Sequence, residues 1–590
     1  MNILRRRSRH ARPAALLVTL LLALGAYSAA PVPATLDGRA GDTPRPPLTP
    51  RWAYEPWAWE DTEHTVEAVR SLAAGYQLHR IPLGAIIIDS PWETDFNSFQ
   101  FGADYPDPAG LIGDLHGRGV RVVLWATGFV NGAAFDGSAA GKAARYDEAL
   151  AAGYFVSGGQ LYRWHHGLGS AIDFFNPAAV AWWYAQMDQA FALGIDGWKV
   201  DNAEIFLWKG AGPGLQRPDT IRTAAGPKAQ REYAEAYYRG FYRYVAERDP
   251  EGIIMARPYD GGGTFAPVDA SPVGWVGDQG PNWPGLGKAL DNILASADLG
   301  YAMLGSDIGG NDPHQGGQYD AVFLRWMQLG ALSPFMENGG KGEHRPWELG
   351  SRALDAYRFY ATLHHELVPY LYSAGVEAHL SGQPIVRNVD RPGRQYGLGP
   401  DLLVAPIVAD GEQRDVALPT GRWYDYWDDD RVLAGPALDH FAGPSEQAPL
   451  YIRGGAIIPL QVEGTAAGHG GPGSSGWLTL LVYPDGESMR TFHPDAERSL
   501  QLESRRDPSG VTLEIGPNTE RYVLRIKEPS APSEPRLKRG ETASELAQLP
   551  SGEAFDGALE GWYYDAARHL LWVRFATQDT AARLTYTTRS

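Results

Sequence analysis

No cysteine occurs anywhere in the 590 residues. Disulfides and thiolate metal sites are therefore excluded, and the chain must hold together by packing alone. Positive charge is also in short supply. Lys and Arg number 52 against 70 Asp and Glu, a formal net charge of −18. That excludes nucleic acid as a partner, because its recognition needs a basic patch. Beyond Ala30 no apolar run is long enough to span a membrane, so no stable membrane insertion is expected. His165-His166 and His364-His365 lack the i, i+4 spacing and carboxylate partner of a metal pair, and no metal is expected. Gly261-Gly262-Gly263 lacks the Lys-Ser/Thr that completes a phosphate loop and reads as a flexible connection. Nothing in the sequence requires a cofactor, and nothing in it fixes an oligomeric state.

What is present points to a large, exported, multidomain protein. The length suggests about three or four domains. Arg5, Arg6, Arg7, Arg9 and Arg12 precede an apolar run from Ala14 to Ala26 and then small residues up to Ala30. Residues 1–30 thus read as a signal peptide, and the mature protein as secreted or periplasmic. Residues 31–50, rich in Pro and Gly, read as a linker. From Arg51 short apolar runs alternate with helix-like stretches. The runs are Arg51–Ala58, Gly84–Ser90, Arg121–Gly128, Asp196–Asn202, Gly252–Pro258, Pro272–Asp278, Tyr301–Asp307 and Leu332–Asn338. Eight alternating units predict an α/β fold, a (β/α)8 TIM barrel over residues 51–370. After Pro369 the segments become short and β-rich, predicting C-terminal β-sandwich domains. A proximal one covers 371–462, and a linker with a distal β domain covers 463–590. Gly464 to Gly476 is the Gly/Ser-rich part of that linker.

Polar or aromatic residues recur at the ends of the runs: Glu55 and Trp57, Asp89, Trp125, Asp201, Arg257, Asp278, Asp307, Glu337. A single Asp after a strand is commonly a cap or turn former. A whole ring of such residues matches the side of a barrel that carries chemistry. Tryptophan is abundant, 19 residues. Most must be core, but an indole face also packs on the C–H face of a sugar ring. Cleaving a glycoside with retention needs two carboxyl groups, one attacking the anomeric carbon and one protonating the leaving oxygen. Asp201 ends the fourth run and Asp278 the sixth, so both can converge over the barrel mouth, and their carboxyls should lie roughly 5–6 Å apart. Two other chemistries stay open on residues alone: Lys199 as a Schiff-base lysine and Glu204 as a catalytic acid. Asp428-Asp429-Asp430 reads as a solvated turn.

From Arg51 to Pro459 the sequence resembles glycoside hydrolase family 31. Trp198-Lys199-Val200-Asp201-Asn202-Ala203-Glu204 is similar to the family's nucleophile motif, and Trp275-Val276-Gly277-Asp278 to its acid/base motif. Gly305-Ser306-Asp307-Ile308-Gly309-Gly310, Leu367-Val368-Pro369-Tyr370-Leu371-Tyr372 and Tyr451-Ile452-Arg453-Gly454-Gly455-Ala456 follow in the family's order. The resemblance implies a retaining exo-α-glycosidase without cofactor, acting on an oligosaccharide or glycoside, with transglycosylation or sugar binding without catalysis as rivals. It implies Asp201 as nucleophile and Asp278 as acid/base. It also implies that Asp89 and Asp307 bind sugar hydroxyls, that Arg257 sits beside the catalytic pair, that Trp275 walls the pocket and that Trp283 lies on the leaving-group side. Trp125 and Lys199 complete the expected pocket. Three features depart from the familiar glucosidases. The large β-sandwich before the barrel is missing, so the pocket rim must be built otherwise. Glu337 and Gly340 stand where an Arg and a hydroxyl-binding His are usual. The Lys-x-Asp pattern at Lys199 and Asp201 looks like the α-xylosidase and α-galactosidase branches.

Overall fold

The computed structural model describes residues 44–138, 141–164, 166–201, 220–312, 319–533, 535–577 and 579–588. The signal-peptide reading, residues 31–43 of the linker reading, His165, and Asn202, Ala203 and Glu204 lie outside them.

Eight parallel strands close the barrel. They are β1 (Trp57–Glu60), β2 (Ala85–Ile88), β3 (Arg121–Thr127), β4 (Gly197–Asp201), β5 (Ile253–Ala256), β6 (Val273–Trp275), β7 (Leu304–Gly305 continuing as Asp307–Ile308) and β8 (Glu337–Asn338). Each pairs with its sequence neighbour, and β8 returns to β1 through Trp57↔Glu337. Strand β7 is interrupted at Ser306, whose hydroxyl accepts from Trp326 Nε1 at 2.9 Å. Its first half pairs with β6 and its second half with β8. Burial on both faces explains why these strands read as unbroken apolar runs rather than alternating ones. The crossover helices start where the sequence supplies a cap. Asp107, Asn176 and Asn282 accept from the first turn, and Pro occupies the next positions of all three helices.

All the strands but β3 begin later than the apolar runs suggested. Arg51–Tyr54 is a 3-10 turn, and β1 starts only at Trp57. Glu55 therefore lies at the N-terminal end of the barrel, where it bonds His365 Nδ1 at 2.5 Å and Gln461. His364, beside it, is core: its Nδ1 meets Ala331 O at 2.9 Å.

Part of the reading 31–50 is corrected. Residues 44–50 are packed, with Thr49 Oγ1 donating to Pro272 O at 2.6 Å, Arg45 bonded to Leu380 O, and Pro46 O bonded to His379. Proline-rich composition signals the lack of regular structure, not the lack of contacts. The boundary near 370 also shifts. Pro369 falls in the first turn of a helix, Val368–Ser381, that ends at the left-handed Gly382. Proline is well placed there, since the first-turn N–H groups have no intrahelical partner.

The region after Gly382 opens with one six-stranded antiparallel sheet, from Val386–Asp390 to Leu450–Arg453. Leu402, Val404, Leu450 and Ile452 face the barrel's core, while Leu403 and Tyr451 face outward into a small cluster of their own. Strand Ile457–Gln461 joins the next unit rather than this sheet, pairing with Leu478–Val482. That distal unit is a sandwich of a five- and a six-stranded sheet. Leu480, Leu524 and Ile526 from one layer meet Leu502, Leu513 and Leu584 from the other. The stretch 464–476 is not a free linker. It packs on the sandwich, with His469 and Ser474 buried. A β-carbon at Gly471 or Gly473 would overlap Asp556. No helix of the described residues is long and apolar enough to cross a membrane.

Candidate active site

The C-terminal ends of β4, β5 and β6 bring three of the expected residues into one hydrogen-bonded unit. Arg257, one residue past β5, is fully buried. Its Nη2 donates to Asp201 Oδ1 at 3.1 Å and to Asp278 Oδ2 at 3.2 Å. Because one nitrogen makes both bonds, the two facing oxygens cannot be farther apart than the two bond lengths together. That limit is compatible with the close spacing of a retaining pair. Nη1 of the same guanidinium donates to Asp260 Oδ2 at 3.0 Å. Asp260 is itself held by Asn292 at 3.0 Å and Lys288 at 3.3 Å. Asp201 gains a second fixed contact, Trp125 Nε1 to Oδ2 at 3.2 Å, and Tyr237 OH donates to its backbone carbonyl at 2.6 Å. The side chain of Asp201 is 17% exposed and that of Asp278 42%, so both reach the open mouth from a buried cation. The glycine in Gly277-Asp278 is required on two grounds. Its φ is +94°, and a β-carbon would lie 2.2 Å from Asp260 Oδ2 and 2.7 Å from Arg257 Nη1.

Beneath the mouth lies a buried charged layer. Lys199 Nζ bonds Asp89 Oδ2 at 2.8 Å and stands 3.7 Å from the centre of the Trp59 ring and 5.5 Å from that of Trp275. Trp275, fully buried, also stacks under the Arg257 guanidinium at 4.6 Å. Burial pulls the lysine down, but Asp89, Asp307 and Glu337 outweigh it and hold the ammonium above its ordinary pKa. A Schiff-base lysine needs the opposite shift, so that alternative loses its support. Asp307 and Glu337 are register partners across β7 and β8, and both are completely buried. Neither has a well-placed donor among the described residues. Burial and the neighbouring Glu337 hold Asp307 well above the carboxylate range. Burial also raises Glu337, against the pull of Asp307, Lys199 and Trp59. Protonation of one of the two carboxyls would spare one of two adjacent buried charges. Arg345 and Lys341 are engaged elsewhere, with Glu343 and Asp61. Asp307, Glu337 and Trp275 thus form the buried floor of the layer around Lys199 and Trp59. Trp283 opens the helix Trp283–Asp298 and is half-buried against the barrel core.

Two further residues near the mouth were not read as site residues from sequence. Asp61 follows β1 at the mouth, 3.9 Å from Lys341 and 3.5 Å from His64. Burial, then Asp89 and, more weakly, Asp278 push it up to about 7, against the pull of Lys199 and Lys341. His166 comes from a three-stranded antiparallel insert after β3, built from Phe129–Ala133, Tyr162–Trp164 and Gly167–Ala171. The imidazole stacks on Phe96 at 4.3 Å, meets the edge of Trp125 at 6.1 Å and reaches Ser90 Oγ at 3.3 Å. This insert places His166 and Trp164 beside Trp125 at the end of β3, with Phe129 stacked on Trp164. The signal for Asp61 was in the sequence: Trp59-Glu60-Asp61 follows directly on the first apolar run. His166 carried none, since its placement depends on the insert's fold.

Asp61 makes stability depend on pH in a defined direction. The folded protein keeps this proton up to about pH 7, whereas an unfolded chain loses it near 3.8. Asp61 therefore favours the folded state fully below about pH 4, and that contribution is lost as pH rises through about 7. Asp61→Asn is expected to match the wild-type melting temperature near pH 4. Its advantage should grow between about pH 4 and 7 and level off above. A thermal-melt difference independent of pH would contradict this.

Comparison with known proteins agrees with this geometry. The Glycosyl hydrolases family 31 TIM-barrel domain matches residues 46–374, and the Glycosyl hydrolase family 31 C-terminal domain matches residues 382–458. An alpha-xylosidase of Emericella nidulans is 26% identical over 452 residues, covering 71% of this chain and 55% of the relative. An isomaltosyltransferase of Sporosarcina globispora is 24% identical over 612 residues, covering 92% of this chain and 53% of the relative. The chain thus spans about half the length of these relatives. Among solved structures, the cycloalternan-forming enzyme from Listeria monocytogenes, in complex with a pentasaccharide substrate, superposes with a TM-score of 0.80 at 22% identity. It covers 92% of this chain and 55% of that one. With a closed barrel, a carboxyl pair on β4 and β6, and family models matching more than half of its residues, the chain belongs to glycoside hydrolase family 31.

Proposed function

We propose that the protein is a retaining exo-α-glycosidase that removes a terminal α-linked sugar through a covalent glycosyl–Asp201 intermediate, with Asp278 as acid and then base. The observation that carries this reading is the single Arg257 nitrogen shared by Asp201 and Asp278 at 3.1 and 3.2 Å. Carboxyls that close suit direct attack by one of them. Arg257 supports an ionised Asp201, and Trp125 fixes its other oxygen. The more exposed Asp278 stands where it can exchange its proton with water. The test is proton NMR of the sugar released from an aryl α-glycoside. The α-anomer appearing first supports the reading, and the β-anomer first overturns it. Transfer to a sugar acceptor differs only in what takes the glycosyl group. Similarity to an isomaltosyltransferase over 92% of the chain favours measuring it, by adding acceptor sugars and analysing products. The Arg-rich start and the apolar run from Ala14 to Ala26 support export.

For the sugar, the reading is a preference for α-xylosides or α-galactosides over simple α-glucosides. The hydroxyl-binding His of the glucosidases is missing, and the buried set Lys199, Asp89, Asp307 and Glu337 supplies donors and acceptors instead. Losing or misplacing one such bond costs about 1–3 kcal/mol, tenfold or more in rate. In a panel of aryl α-glycosides (gluco, galacto, xylo, sulfoquinovo, N-acetylgalactosamino), xylo or galacto is expected to give the highest kcat/KM. Glu337→Gln is expected to lower kcat/KM for it by roughly tenfold. If glucose is preferred and Glu337→Gln changes nothing, the preference is wrong while the hydrolase reading stands.

A further inference from the structure

Two cavities away from the barrel mouth meet along the loop 465–471. One, about 400 Å3, runs between the barrel helix Ser351–Glu366, the turn after strand Gln413–Asp425, and the distal sandwich. Its ring-bearing walls are Phe359, Tyr426 and Trp427. The other, about 360 Å3, lies on the distal sandwich and is walled by Phe555, Tyr563 and Trp572. Gly468 and Arg568 line both, so the two form one groove. None of its lining residues belongs to the mouth described above.

The rings are held in place. Trp427 packs on Phe359 at 5.5 Å and on Tyr426 at 5.1 Å, and its Nε1 donates to Ala448 O at 2.7 Å. The Tyr426 hydroxyl meets His469 Nε2 at 3.0 Å, and His469 Nδ1 meets the buried Glu366 at 2.6 Å. Nor is the Asp428-Asp429-Asp430 turn merely solvated. Lys527 bonds Asp429 and Asp430 at 2.5 and 2.7 Å, and Tyr483 OH donates to Asp429 at 3.1 Å, so the turn is clamped to the distal sandwich. On the other side Trp572 packs on Phe555 at 6.0 Å. Trp427, Tyr426, Tyr563 and Trp572 remain only half-buried. Between the rings stand carboxyls, Asp428 and Asp565, and the guanidinium of Arg568, whose side chain is 69% exposed.

Half-covered rings alternating with both acceptors and a donor suit a ligand that has apolar C–H faces and many hydroxyls but no charge. The carboxyls disfavour anions and nucleic acid, and the polar spacing disfavours an acyl chain. We propose that this groove binds a run of neutral pyranose units, an accessory site that holds a polysaccharide while the barrel acts on its ends. The binding itself does not depend on which bond the barrel cleaves.

The test is affinity electrophoresis of Asp201→Asn protein in gels carrying dextran, xyloglucan, galactomannan or soluble starch. Migration is expected to be slowed in at least one gel. Trp572→Ala and Arg568→Ala, each added to Asp201→Asn, are expected to weaken that retardation by roughly tenfold or more. The Arg568 side chain is exposed and pairs with Asp565 at 4.0 Å, so its truncation controls for damage at Trp572. In the otherwise wild-type protein Arg568→Ala is expected to leave aryl α-glycoside turnover unchanged, which separates failure of the groove from failure of the hydrolase reading. No retardation in any gel overturns the proposal. So does equal retardation of all three proteins, which places the polysaccharide in the barrel mouth. A dimer in sedimentation that Trp572→Ala dissociates also overturns it, assigning the groove to a second copy of the chain.

Discussion

Asp201→Ala is expected to lower kcat on an aryl α-glycoside by about 10⁴-fold or more, and added azide to restore part of it as a β-glycosyl azide. With the carboxylate gone, the face of the anomeric carbon opposite the leaving group is open to a small anion. Azide forms the new bond there as the aryl oxygen departs with its electron pair and takes a proton from Asp278. Asp278→Ala should behave differently. An aryl leaving group needs little protonation, so the glycosyl–Asp201 ester still forms, and the overall loss is smaller, roughly 10²–10⁴-fold. Azide then enters on the side that Asp278 vacated, displaces Asp201 and gives the α-azide. The anomer of each azide therefore assigns the two roles without reference to any related protein. Exchanged anomers would exchange the roles. Azide products from neither variant would mean that the pair bridged by Arg257 is not the reacting pair.

The barrel was legible in the sequence because its strands are buried on both faces and its helices carry their caps in plain view. Asn176-Pro177 and Asn282-Trp283-Pro284 each coincide with a helix start in the structure. The ends of β4 and β6 were legible for the same reason, since an apolar run that stops at an acid marks the edge of the barrel interior. Strand β1 misled because Arg51–Tyr54 is as apolar and aromatic as a strand but folds into a turn. Reading the run as ending at Ala58 put the chemistry on Glu55, at the wrong end of the barrel, and passed over Asp61 at the right one. Burial was legible only in part. A strand-end acid can face the mouth or turn into the floor, and sequence gives no sign of which. Asp201 and Asp278 face the mouth, while Asp307 and Glu337 are completely enclosed and share their charge with Lys199. Asp260 was invisible for a different reason. It lies three residues after Arg257 on a loop, and only the folded loop shows that it holds the guanidinium's free edge. The reading of short, β-rich segments after Pro369 was correct in kind, but Pro369 was taken for a boundary when it lies in the first turn of a helix.

Arg257 carries more of this site than its single position suggests, and its replacement should be costly in two measurable ways. Its two terminal nitrogens reach three carboxyls, on the ends of β4 and β6 and on the loop after β5. Arg257→Gln removes a fully buried cation that is bonded to Asp260. It leaves that carboxyl to Asn292 and to Lys288, which is half exposed. Breaking one side of a buried pair costs about 3–5 kcal/mol, which should lower the denaturation midpoint by an amount easily resolved in urea. The same change frees Asp201 and Asp278 to repel each other and to leave the geometry that brackets a glycosidic bond. Arg257 is fully buried over the Trp275 ring, with its terminal nitrogens turned to the carboxyls. The kinetic loss should therefore fall on kcat, at least about 10²-fold, with little change in KM. Arg257→Lys separates charge from shape. It keeps a cation of similar reach but cannot present a planar fork to three carboxyls at once. Lysine is expected to recover part of the stability and little of kcat. A lysine variant that matches wild type in both would show that the charge alone suffices. A glutamine variant that loses stability but keeps kcat would confine Arg257 to holding the fold.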